Sequence, residues 1–271
     1  MKKILFVCTG NTCRSPIAAA LMKSLFPNFS VDSAGLFADG SAYSEKSAAV
    51  LSEMGIELSG FSRQLSCEDL DADMIFCMTQ SHRDMLISVG ADKNKIRVLD
   101  VCDPYGGDTD VYRACRDEIY DKLSSYKYSI RPMEKGDISA VAEIEKQCFS
   151  SPWSEEAISD SFDNGTMFFV AENKNGVIGY SGVQITLDEA YVYNIATSPF
   201  FRGFGVGTAL TEKLSDCAKE KGASFISLEV RESNQTAISI YEKIGFKEVG
   251  KRKNFYSSPR EDGIIMTKVI K

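Results

Sequence analysis

Cys8 stands six residues before Arg14 in the string Cys8-Thr-Gly-Asn-Thr-Cys-Arg14-Ser15. The apolar run Ile4-Leu-Phe-Val7 precedes it and Pro16-Ile-Ala-Ala-Ala-Leu-Met-Lys follows, so the segment reads as strand, tight polar loop, helix. Such a loop aims backbone N–H groups and a helix N-terminus at one point, a geometry suited to a dianionic phosphate. A cysteine at the centre of that positive field is favoured as the thiolate, the form that attacks. A sulfur nucleophile facing a phosphate points to phosphoryl transfer through a covalent cysteinyl-phosphate. A second constellation is Arg202-Gly-Phe-Gly205-Val-Gly207, between a strand and a long helical pattern. Its glycines let the backbone approach a pyrophosphate, and the helix end again supplies positive potential.

The elements that must position these residues fall into two patterns. In the first half, apolar runs predict strands at Ile4–Val7, Ser30–Ala34, Met74–Met78 and Lys95–Leu99. They alternate with helical patterns at Ile17–Leu25, Ser44–Met54, Ser81–Val89 and Asp110–Leu123. Repeated βα units imply an α/β fold, a parallel sheet between two helical layers, with ligands at the carboxyl ends of the strands. Cys8 falls at such an end. Near Ser124–Tyr128 the pattern resets. A strand at Ser129–Met133 and a helix at Asp137–Phe149 follow, then strands at Met167–Glu172, Val177–Ile185 and Tyr191–Ala196. Further helices are expected at Val206–Lys221 and Gln235–Ile244, with strands at Phe225–Val230, Lys247–Lys251 and Gly263–Val269. A chain of 271 residues exceeds the usual single-domain size, so two domains are expected, residues 1–125 and 126–271.

Composition narrows the partners. A net charge of −7 argues against nucleic acid, whose non-specific binding needs a basic surface. No apolar stretch approaches the ~20 residues of a membrane helix, and the opening Met-Lys-Lys-Ile-Leu-Phe-Val reads as a first strand rather than a signal peptide. Eight scattered cysteines with one close pair, Cys8 and Cys13, suit a reducing cytoplasm. The single histidine, His82, argues against a histidine-rich metal centre or a Ser/His triad, so no metal is expected.

The loop string Cys8–Ser15, its N-terminal position and the later Asp103-Pro-Tyr-Gly-Gly resemble the low-molecular-weight protein tyrosine phosphatase family, over about residues 1–125. The resemblance implies a task for each residue. Cys8 attacks phosphorus, and Arg14 grips the transferring group with its planar fork of donors. Asp103 acts as general acid and then as the base that activates water, on a loop stiffened by Pro104. Ser15 hydrogen-bonds the Cys8 sulfur, Asn11 holds the loop's shape, and Thr9, Gly10, Thr12 and Cys13 complete it. Cys13 has two readings, a small packed residue or a partner for Cys8 in an oxidation-induced disulfide. Thr12 bears on the substrate. Many tyrosine-specific relatives carry a branched apolar residue there, whereas the protein-arginine phosphatase branch has threonine in the same string. A hydroxyl suits a phosphoguanidinium better than an apolar slot for phenol, so phosphoarginine is favoured and phosphotyrosine stays open. An arsenate reductase on the same fold would need a close pair of resolving cysteines, which Cys67, Cys77 and Cys102 do not form.

From about Tyr128 onward the chain resembles the GNAT acetyltransferases, most closely the ribosomal-protein alanine N-acetyltransferases. The resemblance rests on Asn194-Ile-Ala-Thr-Ser-Pro-Phe-Phe-Arg202-Gly-Phe-Gly205-Val-Gly207, then on Leu228-Glu-Val-Arg-Glu-Ser-Asn234 and Ala237-Ile-Ser-Ile-Tyr241-Glu-Lys-Ile-Gly-Phe246. It implies acetyl-CoA as cosubstrate. The diphosphate lies on Arg202, Gly203, Phe204, Gly205, Val206 and Gly207, and the pantetheine arm on Ile195, Ala196 and Thr197. Asn234 contacts the cofactor, Glu229 takes a proton from the acceptor amine, and Tyr241 protonates the departing thiolate. The segments Phe149-Ser-Ser-Pro-Trp153 and Lys253–Met266 line the peptide side in that family.

These readings predict a bifunctional cytoplasmic enzyme acting on phosphorylated proteins and on a ribosomal-protein N-terminus, with neither nucleic acid nor membrane as partner. The alternatives are a GNAT half that acetylates a lysine or small amine, and a half that has lost turnover and only binds phosphoproteins or CoA.

Overall fold

The computed structural model describes residues 1–270, which divide into two compact units, Met1–Tyr126 and Lys127 onward.

The first unit is built on four parallel strands in the order β2-β1-β3-β4. They are β1 (Lys3–Cys8), β2 (Ser30–Gly35), β3 (Met74–Cys77) and β4 (Ile96–Val98). β1 and β3 are central and buried almost throughout, which is why their sequences are continuous apolar runs. Helices α1 (Arg14–Leu25), α2 (Glu45–Ser52) and α4 (Thr109–Ser124) pack against one another. Helix α3 (Gln80–Ser88) sends Leu86 into the cluster of Leu5, Val7, Ile75 and Cys77. Phe6 and Phe76 stack on each other, ring centres 5.1 Å apart, and Tyr126 meets Phe76 edge-on. The expected parallel α/β core is present, and α1 begins at Arg14, two residues before the proline.

The second unit is a seven-stranded sheet in the order β10-β11-β9-β8-β7-β6-β5. The strands are β5 (Ser129–Pro132), β6 (Met167–Asn173), β7 (Gly176–Thr186), β8 (Glu189–Thr197), β9 (Phe225–Arg231), β10 (Lys247–Ser257) and β11 (Arg260–Val269). All neighbours are antiparallel except β8 and β9. Helices α5 (Ile138–Cys148) and α6 (Glu155–Asp163) cover one core with Phe168, Val170 and Tyr180. Helices α7 (Val206–Glu220) and α8 (Gln235–Lys243) cover another, through Val206, Leu210, Leu214 and Ile238. The sequence patterns did not predict α6. It is short, only Ile158 is fully buried, and its start depends on Ser154 accepting a hydrogen bond from Ala157 N–H, 3.1 Å. The hairpin β10–β11 is longer than expected because its distal half is exposed and polar, without the alternation that marks a strand.

Candidate active sites

Cys8 ends β1 and Arg14 opens α1, so the loop between them crosses the carboxyl edge of the sheet. Hydrogen bonds fix its shape. The Cys8 sulfur lies 3.0 Å from Ser15 Oγ and accepts the Asn11 N–H at 3.2 Å. Asn11 holds the left-handed conformation, φ 55°, which asparagine tolerates better than most residues. Its side-chain amide donates to Ser15 Oγ and Ser33 Oγ, both at 2.9 Å, and its Oδ1 accepts from Arg63 N–H at 3.0 Å. Asn11 and Ser15 are both fully buried. Gly35, ending β2, lets the chain pass close by. A β-carbon there would come within 2.9 Å of the Thr9 carbonyl oxygen and 3.0 Å of Asn11 N.

The bonds leave part of the loop open. Among the described residues, the backbone N–H groups of Gly10, Thr12 and Cys13 have no acceptor. Unpaired donors of this kind beside the N-terminus of α1 are the residue pattern that suits an anion. Arg14 is buried and donates to the Val101 carbonyl at 3.3 Å. It also pairs with Asp103, whose other carboxylate oxygen accepts Tyr105 N–H at 3.2 Å. The Asp103 side chain is 48% exposed, so solvent reaches it.

Three more groups support this loop; His82 and Lys46 belong to no sequence motif, whereas Tyr112 closes the segment that begins at Asp103. His82 on α3 lies 3.0 Å from Thr9 Oγ1 through Nε2 and 2.6 Å from Thr79 Oγ1 through Nδ1. Burial, then the Arg14 cation, hold its proton affinity below the ordinary histidine value, so the imidazole favours the neutral form. Tyr112 on α4 sets its hydroxyl 3.1 Å from the Cys13 sulfur. Burial, then that contact, push the Tyr112 phenol up to about 12. Lys46 on α2 donates to the Gly107 carbonyl, tying down the turn after Asp103. Thr12 gives its carbonyl to Ser44 N–H at 3.0 Å, while its hydroxyl meets only the weakly accepting Cys13 sulfur, 3.5 Å.

The second unit offers a different kind of site. β8 pairs with β7 along its whole length to Thr197, but with β9 only over Glu189–Tyr191. Beyond Tyr191 the two parallel strands part, and the β9-facing edge of Val192–Thr197, which includes Ile195 and Ala196, is left without a β9 partner. An open strand edge is a row of donors and acceptors ready for an extended, amide-bearing ligand. At its end lie Arg202, Gly203 and Phe204, then Gly205 in the left-handed conformation, φ 85°, as N-cap of α7. Val206 and Gly207 form the helix's first turn. Arg202 is exposed and donates to the Thr197 carbonyl at 3.1 Å.

Glu229 lies on β9 beyond the fork and pairs with Arg252 of β10 at 3.3 Å. Tyr241, on α8, packs against Phe246, and burial pushes its phenol up to about 12. Asn234 accepts the Ala237 N–H at 3.2 Å, so its side chain serves as N-cap of α8. Arg231 lies over the Tyr256 ring, 4.2 Å from its centre, and pairs with Glu261 at 3.3 Å. These links place Tyr256 and Glu261 on the β9 side of the hairpin. No cluster of three or more histidine, cysteine or acidic side chains suited to a metal occurs among the described residues. No helix there is long and apolar enough to cross a membrane.

Comparison with known proteins finds two families along the chain. Residues 3–135 match the family "Low molecular weight phosphotyrosine protein phosphatase", and residues 138–246 match the "Acetyltransferase (GNAT) family". A low molecular weight protein-tyrosine-phosphatase of Staphylococcus epidermidis is 38% identical, over 46% of this chain and 97% of its own length. A protein-arginine-phosphatase of Geobacillus stearothermophilus is 45% identical, over 43% of this chain and 88% of its own. The crystal structure of the ribosomal-protein-S18-alanine N-acetyltransferase from Escherichia coli superposes with TM-score 0.50 at 35% identity, covering 53% of this chain and 94% of that one.

Proposed function

From the premise that the chain belongs to the low molecular weight phosphotyrosine protein phosphatase family in its first half and to the GNAT acetyltransferase family in its second, we propose a bifunctional enzyme that dephosphorylates protein phosphoarginine and acetylates a protein N-terminal amine.

In the first reaction the phosphate lies on the free N–H groups of the Cys8–Arg14 loop. Arg14 leaves Asp103 to grip two phosphate oxygens. The Cys8 sulfur forms a bond to phosphorus as the bond to the leaving nitrogen breaks, and Asp103 gives that nitrogen a proton. Asp103 then takes a proton from water, whose oxygen attacks the cysteinyl-phosphate and releases phosphate and the Cys8 thiolate. Ser15 stabilises the sulfur anion at both ends of the cycle. The observation that carries this reading is the convergence of Ser15 and Asn11 on one sulfur beside unpaired loop N–H groups. Phosphoarginine is preferred over phosphotyrosine because the Thr12 hydroxyl, in the loop that holds Cys8, has no strong partner, and because the protein-arginine-phosphatase shares more identical residues, 45% against 38%. Turnover of phosphoarginine and phosphotyrosine peptides by the full chain tests this. Faster release from phosphotyrosine rejects the preference, and no release from either rejects the reaction.

In the second reaction acetyl-CoA lies along the open edge of β8, its diphosphate at Arg202–Gly207 and its amides on Ile195, Ala196 and Thr197. Glu229 accepts a proton from the acceptor ammonium, directly or through water. The amine then attacks the thioester carbon, the C–S bond breaks as Tyr241 protonates the departing thiolate, and the proton that the nitrogen sheds on becoming an amide restores the Tyr241 phenol. The fork between β8 and β9 carries this reading. The acceptor is the N-terminal amine of a ribosomal protein starting with alanine, by likeness to the Escherichia coli acetyltransferase. Acetyl transfer to an Ala-starting peptide, compared with a lysine peptide blocked at its N-terminus, tests it. Faster transfer to lysine overturns the acceptor assignment. Both reactions fit a cytoplasmic setting, where acetyl-CoA and reduced thiols coexist.

A further inference from the structure

Glu145, in the last turns of α5, is a carboxylic acid with no exposed surface. Its Oε1 accepts from the Tyr180 hydroxyl on β7 and from Asn194 Nδ2 on β8, 3.0 Å. Its Oε2 accepts from the backbone N–H of Trp153, 2.8 Å, in the loop between α5 and α6. No basic side chain pairs with it among the described residues. Burial raises its proton affinity, and the Trp153 and Asn194 bonds oppose that rise.

A buried acid is costly, and an apolar residue would fill the same space without that cost. What the carboxylate adds is a junction. Of its neighbours in α5, Cys148 touches the end of β8 through the Thr197 carbonyl at 3.4 Å, and Gln147 meets Ser198 Oγ, just past that end, at 3.1 Å. Only Glu145 reaches β8 and the Trp153 loop together. The loop has further attachments. The Trp153 ring lies 5.7 Å from that of Tyr193, which precedes Asn194 on β8, and Ser150 donates to the Ser258 carbonyl in the β10–β11 turn. The loop is therefore fastened to the unpaired stretch of β8 at Tyr193 and Asn194 and to the β10–β11 turn, and Glu145 is the buried side chain whose two oxygens join loop and strand.

We propose that Glu145 is a positioning residue, fixing the Trp153 loop against β8 so that the acceptor peptide is captured beside the thioester. This rests on the acetyltransferase reading above. Glu145 does not reach the reacting atoms. Its loss should loosen acceptor binding and leave the donor's seat on β8 and α7 in place.

The test uses the full chain with two isosteric variants, Glu145→Gln and Tyr180→Phe. Trp153 is the only tryptophan, so its fluorescence reports the loop directly. In Glu145→Gln a side-chain amide meets donors on every side. The expected result is a rise of about tenfold in KM for an Ala-starting peptide, from the lost hydrogen bonds, with KM for acetyl-CoA within about twofold and Trp153 emission shifted to the red. Tyr180→Phe removes one donor and keeps the packing, so it should move the same readouts in the same direction by about threefold. An equal rise in both KM values overturns the proposal, as does unchanged emission with unchanged acceptor KM in both variants. A wild-type chain that binds acetyl-CoA yet acetylates no Ala-starting peptide strikes only the acceptor assignment. The emission of the variants then still decides for Glu145.

Discussion

The anion loop of the first unit and the strand fork of the second differ in what holds them ready. The loop is held by side chains. Asn11, Ser15, Ser33 and His82 converge on seven consecutive residues, and the nucleophile has its partners in the free enzyme. The fork is made by backbone that lacks a partner, since β8 and β9 share only three residue pairs before diverging. A phosphate is small and uniform, so a loop whose shape is fixed by side chains can hold its free donors ready before it arrives. A pantetheine chain is long and amide-rich, and a strand edge recognises it with little help from side chains. Substitutions should therefore act sharply in the first site and more evenly in the second.

The largest expected effect follows from the nucleophile. Cys8→Ser should lower phosphatase kcat by at least about a thousandfold, with acetyl transfer unchanged, read by phosphate release and acetyl-peptide assays on one preparation. Loss of both activities would break the comparison, because it would tie two sites described as separate. Next comes Tyr241→Phe, which removes only a proton donor. Its acetyl-transfer kcat should fall about a hundredfold with little change in KM for acetyl-CoA. A fall of less than threefold would remove Tyr241 from the chemistry and leave Glu229 as the side chain of the second site that handles a proton.

Substrate choice sharpens the comparison further. Thr12→Ile should shift the kcat/KM ratio of phosphoarginine to phosphotyrosine peptides by about tenfold toward phosphotyrosine. An unchanged ratio would leave threonine without a role in selection. The smallest effect concerns His82, the only histidine in the chain. Its folded-state pKa is held below 6.5 by burial and by Arg14, so the unfolded chain binds the extra proton more readily. That contribution to stability is complete above pH 6.5 and is lost as pH falls through the lowered value. The first unit should melt at progressively lower temperature across that window, and His82→Gln should flatten the slope. A melting temperature that stays level in the wild type would refute it.

How much was legible beforehand follows from the same contrast. Cys8, Arg14 and Ser15 are contiguous, and the strand before them and the helix after them have clear patterns, so the loop could be read from one line of sequence. Asp103 was visible through its proline and glycines. His82 and Ser33 were not, because each reaches the loop from a distant element and neither belongs to a local pattern. Tyr112 closes the segment that begins at Asp103, but its contact with Cys13 is long-range and not encoded there. In the second unit the glycines of Arg202–Gly207 marked the turn into α7. The fork is a matter of register between two strands, which periodicity does not encode. Asn234 illustrates the ambiguity of a polar residue at a strand–helix junction, where the residue types that meet a ligand also cap a helix. Glu145 escaped notice because a lone glutamate in an amphipathic helix looks like any solvated charge until its burial is known.

The parting of β8 from β9 reaches beyond chemistry. A ligand lying along the open edge of β8 would complete the sheet, so an acetyl donor bound there would double as a structural brace. By mass action, a ligand at a hundred times its dissociation constant strengthens the state it binds by about 2.7 kcal/mol. Heat tolerance of the C-terminal half should then rise and fall with the supply of acetyl donor, while inorganic phosphate would do the same for the N-terminal half alone. One polypeptide would thus carry two independent thermal gauges, each responding to its own metabolite.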